Sequence, residues 1–349
     1  MSERGVPRTL RRLLLALLGV LLVATLASVV LWYWATARIA QGVADWTRAV
    51  AAQGWTVQSG AASRGGWPFA ATVAFDAVAI AGGAPGLPVG YAAERVSVGL
   101  DFRNPAVLQV QGFGQQSLRL GSAPPLPFTA ERLSIGIALT PGAPATQAEL
   151  NAAGIRVGGV ADGLSIALLE AQADWAAWPG LSLRLSAEAI TLPPPPAPQA
   201  ALGPHIASAT FEGTFGGTIP ATAPSFAAAA SGWRDSGGAI VLRRIAVGWG
   251  PLGVSGSATL KLDATLQPDV TATLRLVGME ETLTALAGAK LIAPRAAQTA
   301  KAVAALMAHA PEGGGAPGVE VPLTLHGGTL ALGMIPLATL PKLIWPDAP

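Results

Sequence analysis

The chain has 349 residues, 51% hydrophobic and only 12% charged, about half the charged share of an ordinary soluble domain. Its pI near 9.3 does not mark a nucleic-acid binder: the first twelve residues hold four arginines and one glutamate, so the 22 basic and 20 acidic residues become 18 and 19 in the remainder, with no basic footprint for phosphate. Cysteine is absent, which excludes disulfide staples and thiolate metal sites.

Residues 1–12 form a basic tail in which Arg4, Arg8, Arg11 and Arg12 precede an uncharged run, LLLALLGVLLVATLASVVLWYWATA, residues 13–37. At about 1.5 Å per residue, a helix of that length crosses a hydrocarbon core of about 30 Å. Trp32, Tyr33 and Trp34 stand at its far end, where amphipathic rings settle among headgroups, and Arg11 and Arg12 flank its near end. The positive-inside rule then predicts a single-pass inner-membrane anchor with a cytoplasmic N-terminus and a periplasmic domain. Ala35-Thr36-Ala37 resembles a signal cleavage site, but the apolar run is longer than the roughly 7–15 residues of a secretory signal, so retention is the reading adopted.

Ile39, Val43, Trp46 and Val50 recur at helical intervals, predicting an amphipathic helix over 38–54 that Gly54 ends. From Trp55 the period becomes two. Val73, Phe75 and Ala77 alternate with Ala74, Asp76 and Val78; Val96, Val98, Leu100 and Phe102 with Ser97, Gly99, Asp101 and Arg103; Leu133, Ile135, Ile137 and Leu139 with Ser134, Gly136, Ala138 and Thr140. Alternating leucines repeat the signal at 181–185, 260–262, 274–276, 323–325 and 330–332. Period two with Gly and Pro in the gaps predicts strands joined by turns, in mainly antiparallel order.

Few helices interrupt this pattern. A capping-box sequence, Thr146 to Glu149, predicts a short helix ended by Gly154; Glu280-Glu281 marks a helix start; and Pro294 opens a helix near 294–309. The proline-rich stretch 192–204 reads as a linker between a first β-rich half, 55–191, and a second, 205–349.

Motifs for chemistry are scarce. His205, His309 and His326 are isolated in sequence, so no metal site is assigned. Gly112-Phe113-Gly114 lacks the third glycine of a dinucleotide fingerprint and reads as a bulge or turn. Arg243-Arg244, on a strand, is expected to point to opposite faces. Trp67, Trp175, Trp178, Trp233 and Trp249 are expected to clamp strand ends and turns. No catalytic residue and no cofactor is assigned, and no enzyme is expected.

The stretch GGAIVLRRIAVGWGPLGVSGSATLKLDATLQPDVTATLRLVG reads as strand, tight link, strand and strand, with Trp249, Gly250 and Pro251 making the link and Gly248 and Gly253 easing its backbone. Together with the turn Gly66-Trp67-Pro68-Phe69 and the closing GGTLALGMIPLATLPKLIW, with its Gly333, Pro336 and Pro341, it resembles the uncharacterised bacterial family named domain of unknown function number 2125. Trp67 stands where the resemblance leads one to expect Phe or Tyr. The resemblance implies a membrane-anchored periplasmic protein and carries no functional residue with it.

The fold expected is therefore mostly β: a large, twisted antiparallel sheet, closed as a sandwich or open as a groove, with a few short helices on an N-terminal transmembrane helix. A groove would bind phospholipid or another apolar envelope component without catalysis. A sandwich would serve as a structural scaffold for an envelope protein partner through a strand edge.

Overall fold

The computed structural model of the chain describes residues 8–345 except 84–87, 122, 141, 159–162, 177–179, 194–200, 221–222, 224, 311–315 and 334. One unbroken helix, α1 (Arg8–Ala51), carries both the apolar run and the amphipathic segment. Its first part is long and apolar enough to cross a membrane, and none of that window is buried.

Seventeen strands follow among the described residues. They are β1 (Thr56–Gln58), β2 (Ala62–Gly65), β3 (Ala70–Gly82), β4 (Val89–Asp101), β5 (Asn104–Leu120), β6 (Leu126–Thr129), β7 (Arg132–Ala138), β8 (Gln147–Val157) and β9 (Leu164–Asp174). Then come β10 (Leu181–Thr191), β11 (His205–Gly216), β12 (Ala239–Trp249), β13 (Leu252–Leu262), β14 (Pro268–Val277), β15 (Gly318–His326), β16 (Thr329–Leu332) and β17 (Ile335–Thr339). Three helices lie wholly within the described residues between these strands: α2 (Phe226–Asp235), α3 (Met279–Gly288) and α4 (Pro294–Met307).

Every pairing is antiparallel. β1 and β2 both lie on β3, β6 and β7 share β5 and β8, and otherwise each strand pairs with its neighbours in sequence as far as β17. The sheet is thus one long meander. β10 and β11 pair directly, and Leu192 N–H donates to Pro204 C=O (2.8 Å). The proline-rich stretch therefore connects two adjacent strands of one sheet; its residues 194–200 lie outside the described set.

Two sequence expectations are corrected here. Residues 147–157 are strand β8, not a helix: Ala148, Leu150 and Ala152 alternate with Glu149 and Asn151, and sheet pairing on both sides overrides a local capping pattern. Helix α2, capped by Ser225 whose hydroxyl accepts from Ala228 N–H, has no counterpart among the helices expected. Its apolar stripe is Phe226, Ala230 and Trp233, at i, i+4 and i+7, and the serine cap ahead of it is the second signal for a helix here.

The register explains the composition. Residues facing one another across an antiparallel ladder share a face. One such row runs Val73, Val98, Val110, Ile135, Leu150, Ala171, Leu185, Phe211, Ile245, Gly256, Leu274, Val321, crossing twelve strands without a polar side chain. The next row on that face, from Ala71 and Leu100 through Leu183 and Leu242 to Leu323 and Leu332, is likewise apolar throughout. The opposite face carries Gln109, Glu149, Gln172, Arg184 and Glu212 in one row. The sheet is amphipathic over its whole width.

A crease crosses the first ten strands. Ala77, Gly114, Gly154 and Ala189 all have φ between 48 and 74°, the left-handed region that costs an L side chain about 1–2 kcal/mol. By register, Ala77 lies opposite Glu94, Glu94 opposite Gly114, and both Gly154 and Ala189 opposite Ala167. The Glu94 and Glu131 side chains lie where a Cβ on Gly114 or Gly154 would stand. At this line the alternation changes phase. Strict period two sets Val78 opposite to Val73 and Phe75, yet Val78 is only 7% exposed and joins the apolar face with Ala93. Beyond the crease the face continues as Ile155, Ile166, Ile190, Ile206, Trp249 and Leu252.

Candidate functional site

The apolar face has helical cover at its two ends. On the first, α1 lays Ala35 and Ile39, with Trp32, Ala40 and Val43 beside them, onto Ala71, Val73 and Val98 of β3 and β4. Trp32 Nε1–H donates to Gly65 C=O (2.8 Å), which fixes the helix against β2. The principal buried cluster is therefore helix on sheet. On the second end, Trp233 of α2 stacks on Phe215 of β11 with ring centroids 5.3 Å apart and donates to Gly216 C=O. α3 packs on α4 and touches β13, and α4 touches β15; Leu283, Ala297 and Val319 are buried there.

Between these walls the face stays open. Leu183 and Leu185 of β10 retain 46% and 38% of their surface, while Ile135, Leu150, Ala171 and Phe211 are half-buried by their strand neighbours.

A polar pair, Gln116 and Tyr91, stands in the apolar face. Gln116, in the row Val78, Ala93, Gln116, Phe128, Val157, is 1% exposed. Tyr91 Oη–H donates to its Oε1 (2.6 Å), and its Nε2 has no partner. Burial pushes the Tyr91 phenol above its ordinary pKa. A Cβ at Gly112 would stand 2.7 Å from Gln116 Oε1 and 3.0 Å from Tyr91 Oη, so this glycine leaves room for the pair.

The polar face holds an open depression of about 550 Å³ lined by Gln109, Glu149, Gln172, Arg184, Glu212 and Arg243. A twisted sheet is saddle-shaped, so each face is concave along one diagonal. Glu212 lies 3.2 Å from Arg184 and 3.9 Å from Arg244, and Gln147 donates to Asp174. Here the expectation for Arg243-Arg244 is corrected. A bulge between Leu242 and Ile245 sets Arg243 as an extra residue, and both arginines turn to the polar side, Arg243 lining the depression and Arg244 beside Glu212. No cluster of metal-ligating side chains occurs among the described residues.

The turn motifs sit apart from one another, each closing a different connection. Gly66-Trp67-Pro68-Phe69 joins β2 to β3, with Ala70 N–H on Gly66 C=O. Trp67, expected to clamp a turn from inside, is instead 47% exposed with its Nε1 3.3 Å from Ser28 Oγ, and Phe69 is 68% exposed. Trp249, Gly250 and Pro251 turn β12 into β13; Trp249 Nε1–H donates to Gly203 C=O, and Gly250 has φ 55° with Leu202 C=O against its α-carbon. Gly248 and Gly253 meet nothing closer than ordinary contact distance, so of the three it is Gly250 whose backbone angle and close approach exclude a side chain. Gly333, whose N–H donates to Pro322 C=O, separates β16 from β17, Pro336 lies on β17, and Pro341 follows it.

Trp175 donates to Ala145 C=O across a strand end; Trp178 lies outside the described residues. Arg11 and Arg12 occupy the first turns of α1. Farther along, Arg64 lies 4.5 Å over the Tyr33 ring and Arg38 5.6 Å over that of Trp34.

The model of the family described as "Uncharacterized protein conserved in bacteria (DUF2125)" matches residues 32–341, and the chain belongs to that family. No curated protein matches it, and no solved structure does.

Proposed function

We propose that this chain is a non-catalytic lipid-binding protein of the bacterial cell envelope, anchored in the inner membrane by α1 with its N-terminus in the cytoplasm and its sheet in the periplasm. Acyl chains, or another apolar envelope component, lie on the open part of the apolar face between α1 and the α2–α4 wall. The observation that carries the reading is the apolar row through Leu150, Ala171 and Leu185, left partly exposed in mid-sheet. Apolar area left in water costs about 25 cal/mol per Å², and a ligand of matching polarity removes that cost. The orientation rests on the arginines of residues 1–12.

The test is extraction of the protein from membranes, exchange into an amphipol, and mass spectrometry of what remains bound. Phospholipid or another acyl-bearing molecule retained in stoichiometric amount, and reduced several-fold in a Leu150→Asp/Leu185→Asp variant, is the expected result. A variant that retains as much as the parent overturns the reading.

A scaffold role has the sheet's edges in its favour: β1 and β2 pair only with β3 and are flanked by α1, and β17 pairs with β16 on one side only, leaving a strand edge. Pro336 lacks the N–H that edge would need for a regular added strand, so lipid binding is the reading preferred.

A further inference from the structure

We infer that the Gly66–Phe69 turn is a second membrane contact, an aromatic wedge seated beside α1 in the leaflet on the side of the sheet. The inference rests on the reading of α1 as a membrane anchor and is independent of any ligand on the sheet. Its first support is position. Trp67 Nε1 lies 3.3 Å from Ser28 Oγ, and Ser28 is one turn, about 6 Å, deeper along α1 than Trp32. Trp32, Tyr33 and Trp34 mark the headgroup level, so the tip of the turn reaches below it.

The second support is chemistry. Trp67 and Phe69 are exposed, large and apolar, and no charged residue occurs from Gly65 to Phe75. Backbone groups entering a bilayer must be satisfied from within. In this turn Pro68 has no N–H, Gly66 C=O accepts from Ala70 and Phe69 C=O accepts from Phe102 N–H (2.9 Å). The Trp67 and Phe69 amides and the Trp67 and Pro68 carbonyls have no backbone partner among the described residues, and the paired Asp101 and Arg103 lie in the adjoining turn. This is the depth of the interface, where water reaches the tip, and not of the hydrocarbon centre.

The third is the flanking charge. Arg64 over Tyr33 and Arg38 over Trp34 place two guanidinium groups at the aromatic belt, where lipid phosphates lie and where such stacked cations are at home. A cation belt with an uncharged aromatic tip beneath it is the profile of an interfacial anchor. Because Trp32 also holds Gly65, the start of β3 and the Ala71–Leu100–Leu108 end of the apolar face are then held at the lipid surface.

The chain has no cysteine, so single-cysteine labelling requires no background changes. Full-length protein carrying Phe69→Cys, Trp67→Cys, Val20→Cys or Thr265→Cys is nitroxide-labelled and reconstituted in phosphatidylethanolamine/phosphatidylglycerol vesicles. Collision with oxygen is compared with collision with a water-soluble nickel chelate. The labels at 69 and 67 are expected to favour oxygen several-fold over the label at 265, as the label at 20 does. Labels at 69 and 67 as accessible to nickel as that at 265, with 20 still in lipid, overturn the wedge and leave the anchor standing. A label at 20 in water overturns both.

Discussion

Trp32 of α1 donates its indole proton to Gly65 C=O at 2.8 Å, one residue before the turn that opens β3. This bond and the Ala35–Ile39 contact beneath it make the long apolar helix part of the folded domain. Trp32→Phe keeps the ring and loses the donor, at an expected cost of about 1 kcal/mol. Trp32→Ala also opens a cavity and is expected to cost about 3 kcal/mol. Denaturant unfolding in detergent checks both. A chain beginning after Ala51 uncovers Ala71, Val73 and Val98 and is expected to elute as aggregate in size exclusion.

The crease makes opposite predictions for its glycines and alanines. Gly114→Ala and Gly154→Ala force a Cβ into left-handed backbone and against Glu94 or Glu131, with an expected loss of about 1–2 kcal/mol each. Ala77→Gly and Ala189→Gly relieve the same strain at φ 48 and 49°. They are expected to leave stability unchanged or raise it by up to about 1 kcal/mol. Midpoints of thermal unfolding for the four variants decide it.

Tyr91 and Gln116 stand together in apolar surroundings with one amide nitrogen unpaired. Gln116→Leu alone strands the phenol and is expected to destabilise by about 1–2 kcal/mol; combined with Tyr91→Phe it is expected to be neutral or stabilising. The pH dependence follows from the raised phenol pKa. A proton held more tightly in the folded state gives stability that is present below the unfolded pKa of about 10 and is lost as pH rises through the folded value. The stability difference between parent and Tyr91→Phe is therefore expected to shift against the parent above about pH 10, measured by urea titration at each pH.

The open face predicts a separation of stability from binding. Leu185→Ala, at a side chain 38% exposed, is expected to cost about 1 kcal/mol, below the roughly 2–5 kcal/mol of a fully buried leucine. Its retained acyl lipid is expected to fall. Val98→Ala, under α1, is expected to lower stability and leave retained lipid unchanged. Paired unfolding and lipid mass spectrometry read the two effects.

Much of the apolar face was legible as period two. The alternating sets at 96–100 and 133–137 and the leucines at 181–185, 260, 274–276, 323–325 and 330–332 all fall on it. The reading failed at Ala77 and at Arg243-Arg244, for a shared reason. A left-handed residue or an inserted one shifts the phase of every side chain beyond it, and neither alanine nor arginine announces such a backbone. Gly112-Phe113-Gly114 did announce it: Gly114 sits at φ 74° in the register shift opposite Glu94.

That Trp67 and Phe69 are exposed was likewise not legible in the turn motif. Their meaning comes from Ser28, 39 positions away from Trp67 in the chain, and from the helix against which the turn is pinned. Proline and tryptophan in a turn are equally compatible with a buried clamp, as Trp249 on Gly203 demonstrates.

What the amino-acid order determined by itself is therefore local: an uncharged helix of membrane length, strands greasy on one side, and the turns between them, because hydropathy period and turn chemistry act over a few residues. What only the tertiary structure decided is which greasy sides align into one face, where that face creases, and how much of it the helices leave bare. Those follow from ladder register and packing between residues far apart in sequence, and no short window of the chain contains both partners.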